Sequence, residues 1–142
     1  MLKAGITGFG YQLPLTDATD FIRVVYHAAR EIGEQVTNVV KAEYPMNFHS
    51  AILDNGVYIL LNAHYPIVAF ATKQELQYTV IDLPVMKAVF QAAGYSVLSK
   101  DEAGQSVSLK EAQQASLLPD EIEQIRYWQP NCLSDLIFND WD

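Results

Sequence analysis

Residues 47–71 read NFHSAILDNGVYILLNAHYPIVAFA, and this stretch decides the fold. Asn47 to Leu53 and Val57 to Asn62 are apolar runs of strand length, separated by Asp54-Asn55-Gly56. Asn55 and Gly56 tolerate positive φ at two successive positions, as a tight hairpin turn requires. His64-Tyr65-Pro66 makes the next reversal, and Ile67 to Ala71 is a third apolar run. A three-stranded antiparallel meander over about residues 47–72 is therefore expected. In its middle strand Tyr58, Leu60 and Asn62 alternate with Val57, Ile59 and Leu61, so both faces are largely apolar. Such a strand belongs at the centre of a sheet covered on both sides.

Upstream, Leu15-Thr16-Asp17-Ala18-Thr19-Asp20 offers several N-cap oxygens. Phe21, Val25, Ala28 and Ile32 then recur at helical spacing, and Gly33 can end that helix in the left-handed conformation. Residues 34–43 are ambiguous. The β-branched Val36-Thr37-Asn38-Val39-Val40 favours a strand, while Val36, Val39 and Val40 continue the helical stripe; the periodicity tips the expectation to continued helix with a break near Gly33.

Downstream, Gln77 to Ile81 can add a fourth strand, and Tyr95 to Ser99 a short one. Pro84 suits a first helical turn, with Asp82 as its cap and Met86, Val89, Phe90 and Ala93 as its apolar stripe; Gly94 ends it. Lys100 to Gln105 reads as a turn, and Ser108 with Glu111 matches a capping box. Pro119 starts a further helix and Pro130 stops it, before a last helical segment through Leu133, Leu136 and Ile137. The expected fold class is α+β. A mostly antiparallel sheet, the meander plus one or two further strands, is packed by helices and closed by a helical C-terminal third.

The 142 residues suit a single globular domain spanning 1–142. Half are apolar and 18% are charged, which excludes intrinsic disorder. The net charge of −8 argues against nucleic acid and against an anionic membrane surface, both of which want excess Lys and Arg. No run approaches a membrane span, and glycines interrupt the opening residues where a signal peptide needs an apolar core. With a lone cysteine, Cys132, the expectation is a soluble cytoplasmic protein without disulfides. Residues 1–73 hold five basic and six acidic residues, and residues 74–142 four and eleven; the acidity resides in the second half.

No motif fixes a chemistry. Gly5, Gly8 and Gly10 resemble the phosphate-cradling opening of a dinucleotide unit, but the third glycine position is Leu13, followed by Pro14; a flexible N-terminal loop is the plainer reading. His27, His49 and His64 lie on separate elements and lack ligand spacing, so neither a metal site nor any cofactor is expected. His27 and Glu31, four apart, read as a surface pair. Cys132 stands near Asp135 and an acidic tail, which oppose thiolate formation.

Two function classes remain. The favoured one is a non-catalytic protein-binding module of inhibitor, immunity or regulatory type that meets a basic protein. Its binding candidates are the acidic run Asp120, Glu121 and Glu123, expected to be solvated, with Trp128 and Trp141 as aromatic anchors. For these tryptophans the plainer reading is that, with Phe138, they close the core, because large aromatics contribute most where they are buried. The alternative is a small enzyme assembled from His49, His64 and Tyr65 near the hairpin ends, with an acid to partner them.

Overall fold

The structure is a computed structural model and describes residues 1–141. Five strands run in sequence order as an antiparallel meander: β1 (Val36–Val40), β2 (Phe48–Leu53), β3 (Tyr58–Asn62), β4 (Ile67–Gln74) and β5 (Gln77–Ile81). β6 (Ser96–Val97) adds to β4 in parallel, beside Ile67 and Val68. β5 occupies the same edge of β4 further along, opposite Phe70 to Gln74. The class is thus α+β, as the alternation pattern predicts.

The β2–β3 turn differs in detail from the expected one. Gly56 alone has positive φ (+86°), and its N–H bonds to Leu53 O at 3.0 Å. Leu53 N–H bonds to Val57 O, while Val57 N–H turns aside to Asn55 Oδ1. A three-residue connection ending in a left-handed glycine serves here, and it keeps the strand twist as a two-residue turn would.

Two layers cover the sheet. On one face α1 (Ala18–Glu31) and α2 (Pro84–Ala92) bury Phe21, Val25, Met86 and Phe90 against Ile59, Leu61 and Phe70. On the other face lie the N-terminal segment and four short helices, α3 (Lys100–Ala103), α4 (Leu109–Gln114), α5 (Pro119–Trp128) and α6 (Leu133–Ile137). Ile6, Leu136, Ile137 and Phe138 pack there on Leu60, Ala69 and Ala71. β3 is therefore central and covered on both sides, which explains why both of its faces are apolar.

Local signals place the helix ends. Asp17 accepts from Asp20 N–H at the start of α1, and Gly33 (φ +70°) follows its end. Ser108 and Glu111 cap each other's backbone at α4. Three expectations are corrected. Residues 36–40 form β1, not a continuation of α1: Gly33 turns the chain out of the helix, and the β-branched run pairs with the open edge of β2. Asp82 does not cap α2; Leu83 holds that position, and the Asp82 carboxylate accepts from Lys100 N–H. Lys100–Ala103 is a helical turn, because Ser99 and Glu102 form a second capping box.

Gly56→Val should destabilise the protein by about 1–3 kcal/mol, since a β-branched residue at positive φ is strained. A Cβ there meets nothing within 4 Å, so the loss is purely one of backbone conformation. Gly56→Asn should lose much less, because Asn tolerates this region. Urea unfolding of the two variants measures the difference, and equal stability of Gly56→Val and the parent would contradict it.

Candidate functional site

Buried polar side chains shape one end of the sheet. Asn47, just before β2, donates to Ile6 O (3.1 Å) and Ile137 O (2.9 Å). Asn62, at the end of β3, donates to the same two carbonyls, at 2.9 and 2.8 Å. Its Oδ1 accepts from His64 and Tyr65 N–H, closing the β3–β4 turn. Asn139 completes the set: its amide donates to Thr7 O and Leu136 O, and its backbone N–H donates to Asn47 Oδ1. All three asparagines are nearly or wholly buried.

Glu121 fastens the N-terminal segment from α5. Its carboxylate accepts from Gly5 N–H (2.7 Å), Thr7 N–H (2.9 Å), Thr7 Oγ1–H (2.6 Å) and Leu118 N–H (3.0 Å). The residue is 0% exposed. This corrects the expectation that the 120–123 acids are all solvated: only Asp120 and Glu123 face outward on α5. It also corrects the flexible-loop reading of the N-terminal glycines. The backbone N–H groups of Gly5 and Thr7 do cradle an anion, and that anion is the protein's own carboxylate.

Two clefts flank this framework. The first lies between the β4–β5 hairpin and the α5–α6 region and encloses about 260 Å³. Trp128, Trp141, Tyr78 and Phe48 form its aromatic walls, and Asp135 and Asp140 stand at it. Trp128 and Trp141 stack with ring centroids 6.2 Å apart and planes 7° from parallel. Phe9 stacks on the far side of Trp141. Trp141 is 7% exposed and Trp128 40%, so the core-closing reading fits Trp141 and Trp128 stays partly open. Trp141 with Phe138 closes the core, while Trp128 presents a face to solvent beside Tyr127 and the fully projecting Leu76. Lys73 sits over Tyr58 and Tyr78, 5.7 and 5.0 Å from their centroids.

The second cleft, about 460 Å³, brings together His49 from β2 and His64 from the β3–β4 turn, with Glu43 on its wall. Tyr65 is not in it; its hydroxyl donates to Ala4 O, and Lys3 lies over its ring. His27 is remote from both, 3.4 Å from Glu31 on the exposed side of α1. Among the described residues no three His, Cys, Asp or Glu side chains gather as a metal would require. Burial, Lys41 and His64 together hold the His49 imidazole below its ordinary pKa. Glu121, Asn47, Asn62 and Asn139 escape sequence reasoning as interior residues, since polar side chains without periodicity read as surface.

Glu121→Gln should lose about 2–4 kcal/mol, because the new amide N–H₂ faces backbone donors and leaves one of them unpaired. Chemical denaturation measures this, and Glu123→Gln is the neutral control. His49 sets a pH dependence. The unfolded chain takes up its proton at higher pH than the folded protein, so stability should fall as pH drops below about 6.5. His49→Asn should lack that part of the slope. No protein-family model, no curated protein and no solved structure matches this chain.

Proposed function

We propose that the protein is a non-catalytic binding module, of inhibitor, immunity or regulatory type, which engages a basic protein through the cleft between the β4–β5 hairpin and α5–α6. The observation that carries this reading is the pairing of aromatic surface with carboxylates in one place: the partly exposed Trp128 and the half-buried Tyr78 beside Asp135 and Asp140. An arginine or lysine from a partner would lie flat on the Trp128 ring and reach an aspartate with its charged end. The seating of Lys73 on Tyr58 and Tyr78 supports this, since it is the same interaction made within the chain. Leu76, 92% exposed at the tip of the hairpin, supplies an apolar contact at the rim.

The charge distribution supports the same partner. Residues 74–142 carry four basic and eleven acidic side chains, so the field around this half attracts a cationic surface and repels a phosphate backbone. Asp120 and Glu123 lie outside the cleft; in this reading they steer the encounter without forming part of the contact.

A peptide rich in arginine and leucine should quench or shift Trp128 fluorescence, and its glutamate-for-arginine counterpart should not. Trp128→Ala should weaken binding by at least about tenfold, in line with an aromatic anchor. Asp135→Asn with Asp140→Asn should slow association and flatten its salt dependence, with the fold unchanged by circular dichroism. Binding that ignores salt, or that survives Trp128→Ala, would displace the proposal from this cleft.

A further inference from the structure

The second cleft carries a different chemistry, independent of the basic-partner reading. We propose that it binds a small uncharged carboxamide, whose carbonyl accepts from His49 Nε2–H and whose N–H donates to His64 Nε2. The backbone sets opposite tautomers on the two imidazoles. Ala42 N–H lies 2.8 Å from His49 Nδ1, and a backbone amide can only donate. His49 Nδ1 is therefore the bare nitrogen, and Nε2 carries the proton. Pro14 O lies 2.8 Å from His64 Nδ1, and a carbonyl can only accept. His64 Nδ1 thus carries the proton, and in the neutral ring Nε2 is the bare nitrogen. One cleft is consequently lined by a ring whose Nε2 donates and a ring whose Nε2 accepts, the two functions an amide would need from it.

Access to the acceptor depends on a glycine. Gly8 has φ +88°, and a Cβ at this position would sit 3.5 Å from His64 Nε2 and 3.0 Å from Asn47 Cβ. Any larger residue at this position would crowd that nitrogen. Three other polar side chains of the lining are engaged elsewhere: Thr7 Oγ1 donates to Glu121, Thr16 Oγ1 to Asn62 O, and the Asn47 amide to Ile6 and Ile137 carbonyls. Glu43 on the wall disfavours an anionic ligand. Phe9, Pro45 and Met46 suit a hydrocarbon or aromatic substituent on the amide. The volume of about 460 Å³ falls within the usual range for small-molecule sites. The depressed pKa of His49 favours the neutral ring, in which Nδ1 stays bare to accept from Ala42 N–H.

The test uses the intact chain with ¹⁵N-labelled histidine. At neutral pH, two-bond nitrogen–proton correlation spectra should show the proton on Nε2 of His49 and on Nδ1 of His64. Benzamide should then shift both Nε2 signals, and bind about tenfold or more tighter than benzoate or benzamidine. Two variants keep the structural hydrogen bonds while deleting the ligand-facing atoms. His64→Asn retains a donor for Pro14 O, and His49→Asn retains an acceptor for Ala42 N–H. Each should weaken benzamide at least about fivefold. The same tautomer on both rings, no benzamide shift, or equal binding of the charged analogues would overturn the proposal.

Discussion

Two carbonyls, those of Ile6 and Ile137, each receive an amide proton from both Asn47 and Asn62. Much of the second layer depends on this crossed arrangement. The N-terminal segment and the residues after α6 have little regular structure of their own, and neither joins the sheet ladder. Two asparagines at the ends of neighbouring strands fasten them to the sheet by donating to these carbonyls, and Asn47 Oδ1 also accepts from Asn139 N–H. Buried amides of this kind must all be satisfied or they penalise the fold, and here they are. No buried side-chain nitrogen or oxygen lacks a partner among the described residues.

Glu121 extends the same logic from a neutral network to a charged one. A buried carboxylate is tolerable only when donors surround it, and four do. The glycine-rich loop supplies three of them and Leu118 N–H the fourth. A loop able to turn alternate N–H groups inward, those of Gly5 and Thr7, could hold a phosphate; in this chain α5 delivers a carboxylate to the position instead. The framework so formed supplies walls to both clefts: Thr7 and Asn47 border the histidine cleft, and Asn139 and Trp141 border the aromatic one.

The sequence is most readable where a local rule suffices. The Asn55-Gly56 reversal, the Asp17 cap, the Ser108–Glu111 box and the two-sided apolarity of β3 each depend on residues a few positions apart, and each appears in the fold. Val36–Val40 is harder. Its valines satisfy both periodicities, and the exposed edge of β2, which no local pattern reports, makes it a strand. Glu121 is harder still: at the third position of a helix beginning with Pro119 it looks like an ordinary solvated first-turn acid. Only the arrival of Gly5 and Thr7, more than a hundred residues away, makes it interior. The sites follow the same division. His49, His64, Trp128 and Trp141 can be singled out by residue type, but which of them share a cleft depends on the sheet register and on the second layer.

The long-range members of the asparagine and glutamate bonds join residues between 41 and 132 positions apart. Bringing such distant segments together carries a large loop-closure entropy, which the near-neighbour hairpins of the meander do not face. The meander can therefore form early, while this end of the sheet must wait until its partners from the far parts of the chain are in place. In the native state the order reverses. The amide protons of Gly5, Thr7 and Asn139 belong to one cooperative unit, so their exchange with solvent reports a single opening event in which the N-terminal loop and the residues after α6 leave the sheet together.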